Sequence, residues 1–479
     1  MKFIKPFCAI ALCAITLYSC KKDTDKKTGD TAFFGGEVIN PLSDFVILYN
    51  PNQAIDTIPL NDSNRFELTI PDPEQGLYTF KLQASDGMEY QTVLLESQDS
   101  VMCRINTMEF DESLVFTGSG AKKNNYLINL FLENEKEDKT VLGFSQLPAA
   151  EFEKKIDSIR SKKQKTLDSF SSKNTTSELF NDLVKTNIDY NYYLSKEVYP
   201  FVNYTSTERN IIETLPKNFY KFRSKVDYNK NNLVNFAPYY SFLVHHLENI
   251  ALTEHFKTST DSTFNKKSLD YNLIKLELID SLISNDSIKN SLLIRAAVGF
   301  ISNNKDVADY DALLESFTEK SSNPNHKEYV SNIINSLKNL KPGNKLPNLT
   351  LVDINNIEVS LNKVIKKPTV LYFWSSSHKT HINSHAKARE LKIKYPEINF
   401  IAINTDKSNE SVWKNIVKQY HYATTNEFIF KHPKEAKHSL AIYPINKVMI
   451  INKNGNIVNA HTNMFSIHFE EQLLSLLNQ

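Results

Sequence analysis

The stretch VLYFWSSSHKTHINSHAKARELKIKYPEINFIAINTD, residues 370–406, decides how the last third of the chain reads. A hydrophobic run ends at Trp374, three serines make a short turn, a helical segment follows from about Ser377, and INFIAINTD is a second strand. The same alternation continues outward. NLTLVD precedes it, and a helix around Trp413, the strands KVMIINKNG and NIVNAH and a last helix HFEEQLLSLLN follow. Strands alternating with helices imply a parallel-containing sheet covered by helices on both faces. Pro342 and Pro347 break the helical pattern in LKPGNKLPNLTLVD, so this α/β unit is expected over residues 341–479.

Upstream the pattern changes twice. Between residues 122 and 340 glycine is scarce, and segments such as EFEKKIDSIRSKKQKTLDSF and YYSFLVHHLENIALTEHF carry apolar residues at three- and four-residue steps, so a helical region is expected. Its many Tyr and Phe residues suit core packing, with a binding groove as the alternative. The adjacent His245 and His246 project about 100° apart on a helix and do not make a metal pair. Residues 32–121 hold short β-rich runs, AFFGGEV, DFVILYN, RFELTIP, LYTFKLQ, YQTVLLE, SVMCRI and LVFTGSG, punctuated by Asn, Asp, Pro and Gly. That rhythm predicts an all-β sandwich or small barrel. TGSGAKKN lacks the GK[ST] ending of a phosphate loop and reads as a turn out of the last strand.

At the N-terminus, Lys2 and Lys5 precede an apolar run too short to span a bilayer, so residues 1–19 read as a secretory signal peptide. Its end, LYSC, resembles the lipobox of bacterial lipoproteins, which implies acylation of Cys20 and a lipid-anchored linker over residues 20–31. Lys21 follows that cysteine, which favours outer-membrane attachment on either its periplasmic or its surface face. Of the cysteines, Cys8 and Cys13 leave with the signal and Cys20 carries lipid, so Cys103 alone stays free, an expected buried thiol in a strand. No dithiol can form. The 56 basic and 55 acidic residues balance without a basic stripe, which argues against a nucleic-acid partner.

Residues 341–479 resemble the TlpA/ResA-like branch of the thioredoxin superfamily. The resemblance rests on PGNKLPNLTLVDINNIEVSLNKVIKKPTVLYFW, on INFIAINTD followed by Trp413, and on AIYPINKVMIINKNGNIV, whose Pro444 stands where that family has a cis-proline. The upstream regions are similar to extensions carried by some lipoproteins of this branch. The resemblance places Trp374, His378, His381 and Pro444 at the family's active-site positions, with histidines where its redox cysteines stand and Ser384 where many members bury an acid. Thiol exchange requires a thiolate to attack a disulfide sulfur, and imidazole forms no mixed disulfide. Disulfide reductase activity, implied by the family, is therefore expected to be absent, leaving a divergent member by fold only.

His378, His381 and His385 are spaced to share a helix face near a helix N-terminus. Its dipole disfavours a further positive charge by about 0.3–1 kcal/mol, which lowers an imidazole by up to about one pKa unit. Neutral imidazole can ligate metal or act as a base. Two readings lead, beside a remainder that includes histidine acid/base catalysis. In the first, His378 and His381, joined by His438 across the proline loop, bind zinc or copper, as Sco-type copper chaperones do with two cysteines and a histidine. In the second, no cofactor is held and the fold serves as a non-catalytic module that binds or scaffolds a peptide or envelope protein beside Pro444.

Overall fold

The computed structural model describes residues 30–51, 55–84, 87–203, 211–230, 233, 236–260, 263–304, 307–406, 410–442 and 447–478. The signal segment, Cys20 and Pro444 lie outside the described residues. The chain is multidomain, with a β-rich N-terminal region, a helical middle and a C-terminal α/β region.

The first region contains β1 (Thr31–Ile39), β2 (Phe45–Tyr49), β3 (Ile55–Pro59), β4 (Arg65–Pro71), β5 (Gly76–Ala84), β6 (Gly87–Leu95), β7 (Ser100–Asn106) and β8 (Val115–Ser119). They form two four-stranded sheets, β4-β1-β7-β8 and β3-β2-β5-β6. Side chains alternate across a strand, so every second residue can enter a core. Phe34 and Val38 of β1, Val46 and Leu48 of β2, and Phe80 and Leu82 of β5 do so and join one cluster. Phe34 bridges the sheets, its ring 5.3 Å from Phe66 and 5.5 Å from Phe80. Cys103 is buried and free, and burial pushes its thiol up to about 12. Gly36 permits its close approach, since a Cβ there would lie 2.5 Å from Cys103 Sγ. TGSGAKKN does turn out of the last strand, because Gly120 takes a left-handed φ of +90° between β8 and the next helix, while Gly118, inside β8, takes +92°.

The middle contains α1 (Ala121–Phe144), α2 (Ala149–Lys173), α3 (Glu178–Val202), α4 (Ala237–Thr258), α5 (Leu269–Leu282), α6 (Asp286–Asn303), α7 (Tyr310–Lys320) and α8 (Pro324–Asn339). Ser177, Ser268, Asn285 and Asn323 accept backbone N–H groups at the starts of α3, α5, α6 and α8, supplying partners that a helix end lacks. One apolar cluster runs from Leu94 to Ile334. Within it lies a charged knot. Fully buried Glu197 accepts Arg223 Nε at 2.9 Å and Nη2 at 2.5 Å, and pairs with His246 Nδ1 at 2.7 Å. Tyr228 Oη closes the other side of His246 at 2.8 Å. His246 is thus a satisfied core histidine, while His245 Nδ1 bonds its own helix at Ser241 O.

The last region contains β9 (Thr350–Asp353), β10 (Glu358–Ser360), α9 (Leu361–Val364), β11 (Thr369–Trp374), α10 (Thr380–Lys394), β12 (Asn399–Asn404), α11 (Glu410–Gln419), β13 (Glu427–Phe430), α12 (Pro433–Ser439), β14 (Val448–Ile451), β15 (Ile457–Thr462) and α13 (Phe469–Leu477). The sheet order is β10-β9-β13-β12-β11-β14-β15, with β11 parallel to β12 and β12 parallel to β13. β11 is buried along its length and feeds both faces. Val370, Tyr372 and Trp374 pack with α10, α11 and α13, whereas Leu371 and Phe373 pack with α12. The alternation of strand and helix thus yields the helix-covered sheet it implies. β10 and β13 escaped that pattern because three- and four-residue strands are too short to show a period.

Breaking the knot in the helical region should be costly, since Gln at 197 leaves Arg223 without its carboxylate. Glu197→Gln is expected to lower stability by about 3 kcal/mol in urea unfolding followed by circular dichroism. A loss under about 1 kcal/mol would mean that the pair contributes little.

Candidate functional site

β11, an interior strand, delivers Trp374 at its C-terminal end, and the three serines turn the chain into α10. The turn is held by a carboxylate. Ser375 Oγ donates to Asp406 Oδ1 at 2.5 Å, and the Ser376 amide donates to Asp406 Oδ2 at 2.6 Å. Asn404 Nδ2 donates to Ser376 Oγ at 2.9 Å, and the Thr405 amide donates to Trp374 O at 2.9 Å. This clamp ties the turn to the end of β12. It also delays the helix, which starts at Thr380 rather than near Ser377. His378 therefore precedes α10 and is exposed.

α10 buries His381, Ser384, His385, Ala388 and Leu391. That spacing is an amphipathic core stripe, and the histidines occupy its first turns. Their company is aromatic. The His381 ring lies 5.3 Å from Trp374 and 5.2 Å from Tyr420, and its Nδ1 shares a 2.6 Å hydrogen bond with Tyr422 Oη. His385 stacks flat on Tyr422, with ring centres 3.6 Å apart, and meets Trp374 and Tyr372 edge-on. The structure thus brings His381 and His385 together and leaves His378 outside.

Proton positions follow from partners. His385 Nδ1 lies 2.7 Å from His381 O, and a carbonyl can only accept, so Nδ1 carries a proton. His385 Nε2 lies 2.9 Å from Glu427 Oε1, so one proton is held between ring and carboxyl, on one or the other. Burial raises the Glu427 carboxyl, while His385 and the Trp374 indole oppose that shift. Neither Trp374 Nε1 nor Glu427 Oε2 has a hydrogen bond of good geometry. Tyr422 is also raised, first by burial and then by Glu427, so it keeps its proton. His381 is pushed down to about 4, chiefly by burial, then by the neighbouring His385, with Asp406 opposing. It is neutral at pH 7. Desolvation, rather than the helix dipole expected from sequence, leads that shift.

Tyr422, Glu427 and Asp406 escape the sequence reading. Ser384 stands where the resemblance implies a buried acid, yet the acid reaches the site from β13, 42 residues after His385. Its one signal is a glutamate opening the otherwise apolar run EFIF. His438 lies on α12, which packs on the opposite face of the sheet from α10. Among the described residues no group of three or more His, Cys, Asp or Glu side chains stands ready to hold a metal ion. The dyad of His385 and Glu427 is closed off by aromatic rings, so the arrangement stores a proton in the core, and His378 is the imidazole open to solvent.

Residues 366–457 match a family described as thioredoxin-like, and this part of the chain is a thioredoxin-like domain. No curated protein matches the chain. Among solved structures, the thioredoxin domain of a thiol-disulfide oxidoreductase from Bacteroides vulgatus is 21% identical, covering 25% of this chain and 87% of that one with a TM-score of 0.22. A thiol-disulfide oxidoreductase from Bacteroides fragilis is 16% identical over 28% and 98%, with a TM-score of 0.24. A thiol:disulfide interchange protein from Bacteroides sp. is 18% identical over 25% and 81%, with a TM-score of 0.23.

The depressed His381 sets a pH dependence. An unfolded histidine takes up its proton near 6.5 and the folded one only near 4, so the unfolded state binds more protons in between. Stability should fall as pH drops through that window, by up to about 3 kcal/mol attributable to this residue. His381→Phe should flatten this part of the curve in urea titrations from pH 7 to pH 4. An unchanged slope would show that His381 protonates freely in the folded state.

Proposed function

We propose that the thioredoxin-like domain is a non-catalytic module that binds an extended peptide or a partner protein at the 375–382 turn, on an envelope lipoprotein anchored through Cys20. The carrying observation is that no thiol stands at this turn. His378 and His381 occupy it, and Cys103 is buried in the N-terminal β-rich region with its thiol pushed up to about 12. A thiol held protonated and out of solvent cannot start disulfide exchange.

What the turn offers is a surface. His378 is exposed, Ile382 is 36% exposed, and a Cβ on Gly87 would lie 2.9 Å from Ser377 O, so the start of β6 abuts the turn. β6 adds Met88 and Tyr90, 46% and 62% exposed. Exposed apolar side chains around an imidazole suit an extended peptide better than a polar metabolite. Anchoring rests on the LYSC sequence ahead of the polar tether; among the described residues no helix is long and apolar enough to cross a membrane.

Two experiments test this reading. The purified protein with dithiothreitol should leave insulin disulfides at the background rate, and binding of unstructured peptides, read by fluorescence anisotropy, should weaken about tenfold in Ile382→Asp or His378→Ala. Insulin turnover, or peptide binding indifferent to both exposed substitutions, would overturn it. For the anchor, a palmitate analogue fed to cells should label the wild-type chain, and Cys20→Ala should remove the label and free the protein from the membrane fraction.

A further inference from the structure

A second candidate site lies between α4, α5 and α6 of the helical region. These helices enclose a cavity of about 390 Å³. That volume falls within the roughly 300–1,000 Å³ of small-molecule sites. Its inner wall is apolar and rigid, with Leu247, Ile279 and Leu292 each almost fully buried. The charged groups lining it are unbalanced. Lys266, Lys275 and Arg295 face Glu248 as the sole carboxylate.

Three positive groups around one negative group leave a local excess of positive charge beside low-dielectric walls. Among the described residues none of the three cations forms an ion pair, and the contacts of Lys275 and Lys266 are aromatic faces, with Lys275 Nζ 4.9 Å from the Tyr271 ring and Lys266 Nζ 5.5 Å from Phe201. Burial lowers the Lys275 amine, Glu248 opposes this, and Lys266 and Arg295 add to it. Elsewhere in the same region cations have carboxylates, as Lys289 does with Asp280 at 2.9 Å and Lys320 with Glu277 at 3.1 Å. Unlike those pairs, the three cavity cations have one carboxylate, Glu248, among them.

We propose that this cavity binds a small organic anion, a molecule with an apolar body seated against Leu247, Ile279 and Leu292 and an acidic group held by Lys275 and Arg295. The apolar wall accounts for affinity, and the cations orient the ligand and select for charge. Gly299 lines the same space within α6, and a Cβ there would meet no atom within 4 Å. Glycine inside a helix costs about 1 kcal/mol relative to alanine. No packing within the chain requires it here, and its missing side chain keeps the mouth of the cavity wide.

The test uses two fluorescent probes that differ by one charge, 8-anilinonaphthalene-1-sulfonate and the neutral N-phenyl-1-naphthylamine. The purified protein should bind the sulfonate saturably at one site and prefer it over the neutral probe. Lys275→Met and Arg295→Gln should each weaken the sulfonate about tenfold, the loss of one charge-assisted contact, and leave the neutral probe unchanged. Gly299→Leu should weaken both probes by filling the mouth without disturbing the fold. Arg295 and Gly299 are exposed, so these two variants remain informative should Lys275→Met lower the melting temperature. Equal affinity for the two probes, absence of saturable sulfonate binding, or sulfonate binding unaltered in Arg295→Gln and Gly299→Leu would overturn the proposal.

Discussion

The C-terminal region is organised by one requirement: the face of α10 that packs on β11 must be dry, and its first turns carry two imidazoles. A buried polar group without a partner costs free energy on the scale of a lost hydrogen bond, so each ring nitrogen has to be matched from elsewhere in the fold. Tyr422 reaches His381, His381 O and Glu427 take the two nitrogens of His385, and Trp374 and Tyr372 fill the space around them. The placement of β13, which contributes Glu427 at its first position, belongs to the same solution. His381 and His385 thus behave as core residues with polar demands, whereas the family resemblance had paired His381 with His378, which is exposed.

How much of this was legible depended on the range of the interaction. Patterns internal to one element were readable: the continuous apolar run of β11, the stepped apolar residues of the helices, and the cysteine count that separates Cys103 from the turn. Contacts across elements were not. His378, His381 and His385 have the spacing of one face, yet the Asp406 clamp holds the turn so that α10 begins only at Thr380 and His378 falls outside it. The cause of His381 neutrality likewise shifted from a helix end to burial, because the Tyr422 ring that covers it lies 41 residues away in sequence.

The helical region meets the same requirement with charge. Glu197 has no exposure, and Arg223, His246 and the 2.8 Å bond from Asn249 to its backbone carbonyl surround it. Such a knot is a weak source of net stability but a strong penalty on any packing that separates its members. It fixes α3 against α4 in one register. The neighbouring cavity between α4, α5 and α6 inherits that rigidity on its α4 wall, which keeps the space open in a region otherwise filled with aromatic side chains.

The Asp406 clamp has a consequence of a different kind. In a turn built on paired cysteines, the local shape depends on whether those sulfurs are joined, and so on the oxidants around them. Here hydroxyls, amides and a carboxylate hold Ser375 and Ser376, and no bond in that set gains or loses electrons. The contour of the turn therefore does not depend on whether its surroundings are oxidising or reducing.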